Sequence, residues 1–455
     1  AKAQIKEDIR NDVLATAREE GWADARKLPG WVRGLSFSGD VRTRAQGENF
    51  AADNVAPEVF RSQTDSPAWA PDLTNTRTDR KRMTVRARVA VAAKASDSLN
   101  AGVRITTGSS TGSPTSASQT AGNGFNRYGV SIDRAFIRWE PSHLLRMEAG
   151  RMAVPFDHTD LLFPDDLSLD GVAAKGELDL ASGMFGFAVA GAFPLEEFAS
   201  TARDKYLLGG QMGLDWALDS DWKLRAAVGL YEFRNIEGER ESALPPTGAL
   251  AGTTGYQSSQ YLASVRQKGN TLINLNAPGS TASPVWGLAS KFRPVDLTLS
   301  LTARHFMPYE LGFVLNVVKN TAFDKADIAR RAGTAAVNDL VDMTNGYQMR
   351  LNFGAARMDE PGAWSTYLAF RKFERDAWVD AYTDTTWHLG GTNYKGFSLG
   401  GLYAFDNKAT LGARLTSTRN LDDGVRYGSG SALSGNLSSA PLKIDVVQVD
   451  VNFRF

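Results

Sequence analysis

The chain ends in Ile444-Asp-Val-Val-Gln-Val-Asp-Val-Asn-Phe-Arg-Phe455, and the fold class turns on how this stretch is read. Val447, Val449, Val451, Phe453 and Phe455 fall on odd positions; Gln448, Asp450, Asn452 and Arg454 fall on even ones. Neighbouring side chains of a strand point to opposite faces, so the segment has one apolar and one polar face. A single strand of this kind suits a soluble sandwich as well as a membrane barrel. Recurrence along the chain separates the two.

Working backwards and forwards from that strand, period two returns from Leu35 onward. Leu35, Phe37, Val41, Thr43 and Ala45 alternate with Ser36, Ser38, Asp40, Arg42 and Arg44, in a first strand reaching Gln46. Met83, Val85, Ala87, Val89 and Val91 alternate with Arg82, Thr84, Arg86 and Arg88. Leu99 to Ile105 follow after a Ser96-Asp97 turn. Further strands are predicted over 129–139, 144–153, 171–180, 183–193, 205–217, 222–233, 285–305, 310–320, 345–357, 362–375, 391–405 and 408–418. Splitting 285–305 at Pro294 would give an odd strand count, so it is read as one strand. Loops alternate long and short, and the total is about 16 strands.

Upstream, residues 4–20 place Ile5, Ile9, Val13 and Ala17 at helical spacing before Gly21. This predicts a short periplasmic helix, with residues 1–34 as helix and connector and 35–455 as barrel. Its heptad pattern is too short to specify a coiled coil. Contact with the cell wall or a periplasmic partner through residues 4–20 stays open beside simple rest near the barrel mouth.

Composition narrows the classes. The 455 residues carry no cysteine and zero formal net charge, which excludes a disulfide framework and thiolate metal sites and offers no case for nucleic acid. No stretch approaches the run of about 18 apolar residues that a membrane helix needs. That test is blind to barrels, whose strands are about 10 residues long and half polar. Mean hydropathy of −0.28 therefore decides nothing. Barrel size decides more, because about 16 strands enclose a water-filled channel rather than a packed core. The polar face must line water and the apolar face must meet lipid. Trp139, Trp216, Trp222, Trp364, Phe405 and Phe455 lie where strands meet turns, as an interfacial aromatic belt requires. The predicted fold is all-β: a transmembrane antiparallel barrel.

Several runs resemble the putative-porin family of Gram-negative outer membranes: residues 346–405, FSGDVRTR (37–44), DRAFIRWEP (133–141), EAGRMAVPF (148–156), FVLNVVKN (313–320) and the connector EEGWADARKLPGWV (19–32). The resemblance covers most of the chain and rests on strand and turn patterns. It implies a barrel in the bacterial outer membrane, in contact with lipid and lipopolysaccharide and homotrimeric like general porins. A C-terminal Phe resembles the signal read by the barrel-assembly machinery. Loops 47–79 and 234–283 match nothing in that pattern.

Parity then assigns the lumen. Arg42, Arg44, Arg82, Arg86, Arg88, Arg104, Arg134 and Arg138 fall on the water-facing side, as do Arg80 and Arg146, against only Asp40 and Glu148. This predicts a basic wall that favours anions and orients dipolar solutes; an ordinary hydrated pore wall is the plainer alternative. Loop 154–170 holds the ordinal place of the loop that folds inward in general porins. It carries Asp157, Asp160, Asp165 and Asp166 with Leu161, Leu162 and Phe163 between them. The expectation is a constriction facing the arginines, with the apolar trio pinned to the wall; a surface loop with a divalent-cation site is the alternative.

Catalytic chemistry has no foothold. His143, His158, His305 and His388 are scattered, and no nucleophile elbow, phosphate loop or HExxH motif is present. No enzyme, cofactor or metal is expected. The predicted function is a porin for passive diffusion of small hydrophilic solutes with anion preference. A substrate-specific channel, with Tyr231, Phe233 and Tyr367 stacking a sugar, and a scaffold barrel tethered by its N-terminal helix are the alternatives.

Overall fold

The computed structural model describes residues 34–54, 75–108, 113–198, 203–240, 258–262, 264–276, 285–338, 340–421, 433–434 and 441–455. The helix expected over 4–20, and much of loops 47–79 and 234–283, lie outside the described residues. Sixteen long strands form the wall. They are β1 (Leu35–Phe50), β2 (Arg80–Lys94), β3 (Leu99–Thr107), β4 (Val130–Ser142), β5 (Leu145–Ala153) and β6 (Ser168–Ala181). Then follow β7 (Met184–Glu196), β8 (Lys205–Ala217), β9 (Trp222–Arg234), β10 (Pro294–Ala303) and β11 (Tyr309–Asn320). The last five are β12 (Asn345–Ala355), β13 (Trp364–Phe373), β14 (Tyr394–Asp406), β15 (Ala409–Asn420) and β16 (Lys443–Arg454).

Each strand pairs antiparallel with its neighbours in sequence, and β1 pairs with β16 from Asp40↔Arg454 to Phe50↔Ile444. The sheet is therefore a closed barrel with no free edge. At the seam, Gly39 and Phe455 exchange backbone hydrogen bonds of 3.1 Å in both directions. A side chain at residue 39 would meet the Phe455 ring at 2.5 Å, so glycine is needed where the terminal aromatic folds across the first strand.

The face assignment is inverted relative to a soluble protein. On β16, Val447, Val449, Val451 and Phe453 are 44–47% exposed, while Gln448 is 3% exposed. Phe37, Met212, Leu368 and Leu399 repeat this on other strands, each about half exposed or more. An exposed apolar belt running round a closed barrel is what lipid contact demands. Trp139, Phe405 and Phe455 stand in it at the short-turn end, and Trp364 packs 5.3 Å from Tyr309 there.

Two strand boundaries differ most from the sequence reading. β1 runs four residues past Gln46, because Gly47 and Glu48 still have partners on both β2 and β16 and Asn49 and Phe50 still pair with β16. The segment read as one strand over 285–305 divides at Pro294. Pro294 lacks an N–H and can only begin the ladder of β10. Upstream, Trp286–Leu288 pairs with Leu272–Asn274, which in turn pairs with Leu433–Ser434, in a small separate sheet beyond the barrel. Within the long connection 321–344 stands the helix α1, Lys325–Ala332, capped by the Asp324 side chain accepting from the Ala326 N–H at 2.8 Å. Ile328 of α1 packs with Ile273, Leu275 and Ala289 in a second, smaller core.

Val449→Arg is expected to lower unfolding stability in lipid bilayers by about 2–4 kcal/mol, the cost of a guanidinium on the lipid side of a barrel. Urea titration followed by tryptophan fluorescence measures it. A cost below about 1 kcal/mol would place Val449 away from the hydrocarbon.

Candidate permeation site

The interior is built from two segments that fold inward and meet. The first joins β5 to β6. Its Leu161, Leu162 and Phe163 are at most 1% exposed, and Phe163 sits 5.1 Å from Trp378 and 5.5 Å from Tyr231, edge to face. Phe156 occupies a seat left by Gly209 of β8, where any side chain would reach its ring at 2.3 Å. Each of these buried apolar side chains contributes about 1.5–3 kcal/mol. The second segment joins β13 to β14 and carries Trp378 and Trp387, both buried. Residues Tyr261, Gln267 and Asn270 hold it. Asn270 donates to the carbonyls of Arg375 and Trp378 at 2.8 Å, and the buried Asp380 accepts from Tyr261 and from the Gln267 and Asn270 N–H groups.

The four loop acids divide. Asp157 pairs with Arg225 of β9 at 2.9 Å, and its N–H donates to Gln211. Asp160 pairs with Arg371 of β13 at 3.0 Å and accepts from Gln348 at 2.8 Å and Trp387 at 3.1 Å. Asp166 alone reaches the basic wall, accepting from Arg86 at 2.8 Å and Arg88 at 3.2 Å. Asp165 points into open space with no ion pair among the described residues. The expectation that all four face the arginines is thus corrected: two are anchors on the opposite side.

The wall itself is also less bare than parity implied. Arg86 and Arg88 share Asp40 at 2.9 and 2.6 Å. Arg44 pairs with Asp450 at 2.5 Å, Arg82 with Glu48 at 2.7 Å and Arg138 with Glu148 at 2.6 Å. Arg104 pairs with Asp133 at 2.5 Å. Parity missed Asp133 because the ladder shifts register there: Arg104 faces Arg134, but Ile105 faces Ile132. The extra residue of a bulge turns an outward position inward. Glu48 was missed because it lies in the part of β1 read as loop. Arg42, with only Ser118 at 2.9 Å, and Arg134, with only Ser168 at 3.4 Å, have no carboxylate partner among the described residues.

What remains between the segments and the wall is a cavity of about 500 Å3 lined by Arg42, Asp165, Arg350, Asp384 and Arg414, among others. Arg350 and Arg414 were outside the predicted wall because β12 and β15 carry few charges. Asp384 lies in a segment to which sequence reasoning gave no role. The signal was present: Trp378, Tyr382 and Trp387 are too apolar for an exposed connection. The proposed stacking aromatics do not line this space. Tyr231 and Phe233 are buried in the aromatic cluster, and the Arg350 guanidinium lies 3.8 Å above the Tyr367 ring.

Burial alone would raise the Asp160 carboxyl, but Arg371, the Gln348 hydrogen bond, Arg350 and Trp387 outweigh it and hold the pKa below the ordinary range. A depressed carboxylate stabilises at any pH above its unfolded value, and that contribution disappears only as pH falls through the depressed one. The Asp160–Arg371 anchor is therefore expected to hold as pH falls to about 4, the usual carboxylate midpoint, and to be lost below it, read as the pH at which wild-type single-channel conductance converges on that of Asp160→Ala. Asp160→Ala, which strands the buried Arg371, is expected to cost about 3–5 kcal/mol and to raise conductance at neutral pH. An unchanged conductance would show that Asp160 does not hold the constriction.

The whole chain, residues 1–455, matches the family described as "Putative porin". No curated protein matches it. Among solved structures it is similar to OprB of Pseudomonas putida, at 11% identity over 93% of this chain and 95% of that one, TM-score 0.50. It is also similar to an anion-selective porin from Comamonas acidovorans (11%, 92% and 99%, TM-score 0.45) and to the outer membrane channel DcaP of Acinetobacter baumannii (11%, 92% and 97%, TM-score 0.45). At such identities the likeness concerns the fold alone. A closed barrel of 16 strands, an apolar outer belt and a match over every residue lead to one conclusion: the chain belongs to the Putative porin family and is an outer-membrane channel.

Proposed function

We propose that the channel admits small hydrophilic solutes by passive diffusion and prefers anions. One observation carries this reading. Of the charges lining the central cavity, Arg42, Arg350 and Arg414 have no ion-pair partner among the described residues. The acids left in that condition are Asp165 and Asp384. Three free guanidinium groups against two carboxylates leave a cationic surplus in this cavity, where low-dielectric walls focus the field. The paired arginines of β2 contribute little to it, because each already meets an acid. The preference thus rests on Arg42, Arg350 and Arg414 rather than on Arg82, Arg86 and Arg88.

A substrate-specific channel and a scaffold barrel tethered by residues 4–20 are the competing readings. A scaffold predicts no conductance. Homotrimer formation and contact with lipid and lipopolysaccharide belong to this proposal as well, on the resemblance to general porins; light scattering of the detergent-solubilised protein gives the subunit count.

The reversal potential in a salt gradient tests the preference. Wild type is expected to show anion selectivity, and Arg42→Gln with Arg350→Gln together to reduce it. Arg82, Arg86 and Arg88 changed together would instead release Glu48, Asp40 and Asp166 and swing selectivity toward cations. An unaltered reversal potential in the Arg42/Arg350 variant discards the proposal.

A further inference from the structure

Two cavities of about 500 and about 350 Å3 adjoin in the interior, and both are lined by Arg44, Arg350, Asn352 and Arg414. In the first of them the charged groups sort into satisfied and unsatisfied sets. Arg44, Arg86, Asp160 and Asp166 are each held in ion pairs at 2.5–3.0 Å. Arg42 gives one hydrogen bond to Ser118, Arg350 one to Asn352 at 2.7 Å, and Arg414 binds only Gln448. A guanidinium has five N–H donors, so each of the three keeps donors for an incoming acceptor. Asp384 accepts from the Thr386 N–H at 2.6 Å and hydroxyl at 2.8 Å. A carboxylate has about four acceptor sites, so Asp384 also keeps capacity, and Asp165 is exposed to the cavity with all of its own.

The two sets have different origins. The free cations project from wall strands β1, β12 and β15, whereas the free acids are carried by the two infolded segments. A simple anion in this space is attracted by the strands and repelled by the segments; a simple cation meets the reverse. Only a solute with both charges is complemented by both. Bidentate carboxylate–guanidinium contact adds strength and orientation at the wall, and an ammonium offers three donors to the segments.

We propose that this cavity is a binding site for small zwitterions bearing a carboxylate and a protonated amine, the carboxylate held by Arg42, Arg350 and Arg414 and the ammonium by Asp165 and Asp384. The inference rests on the open-channel reading above and narrows it: free ions pass, and a zwitterion lingers. The modest cationic surplus and the retained zwitterion are two consequences of the same five side chains.

Planar-bilayer recordings with glycine, 4-aminobutyrate and 6-aminohexanoate, set against butyrate and butylammonium, test it. At least one zwitterion is expected to reduce the current saturably, with an apparent affinity at least about tenfold (about 1.4 kcal/mol) above both single-charge probes. Asp165→Asn and Arg42→Gln, neither of which breaks an ion pair, are each expected to weaken that block several-fold. Block by butyrate as strong as by any zwitterion overturns the site, and so does block that neither variant alters. Isothermal titration of the same probes into detergent-folded protein reads binding without current. Zwitterion binding in a protein that does not conduct would sink the channel reading and leave the site standing; conduction without zwitterion binding would do the opposite.

Discussion

Backbone hydrogen bonding across the β1–β16 seam is the contact on which everything else depends. Inside a bilayer no water can satisfy an exposed N–H or C=O, so a sheet survives there only when its two edges meet. Residues 40–50 and 444–454 supply that meeting. Once the seam is closed, the side chains have no remaining choice. Alternate residues turn to lipid, and the rest turn to a space too wide for them to fill.

That excess width explains the interior. A packed core does exist, but it is made inside the barrel by chain that returns from the long connections. Phe156, Phe163, Phe193, Tyr231, Phe233 and Trp378 form one aromatic cluster drawn from strands and both infolded segments. The cluster fills the β7–β9 and β13 side and leaves open the side facing β1, β12 and β15. Apolar packing elsewhere therefore leaves the cavity lined by Arg42, Arg350 and Arg414 unfilled. The acids of the infolded segments serve two ends: Asp157 and Asp160 tie the first segment to the wall, while Asp165 and Asp384 line the cavity without an ion pair among the described residues.

Some of this was legible in residue order. Strand positions, lumen parity and the inward set of Leu161, Leu162 and Phe163 follow from periodicity and from a loop too apolar for water. Asp133 was not legible, since a bulge reverses parity and leaves no mark in the alternation. Neither was the pairing of Arg44 with Asp450, which lie 406 residues apart and meet only because the barrel closes. Pro294 signalled a break in the strand, but not that the chain before it would join a small sheet with 272–274 and 433–434.

The sequence by itself determined the wall: alternation with period two, repeated sixteen times between long and short connections, admits one kind of closed sheet, because each strand's apolar face has to meet lipid. Only the tertiary structure decided which of the interior charges are neutralised. Ion pairs form between strands and segments distant in sequence, and whether an arginine is neutralised depends on which acid the closed barrel brings within reach. Counting by parity makes the wall a ladder of bare arginines; among the described residues lining the cavity, the folded chain leaves three free guanidinium groups beside two free carboxylates.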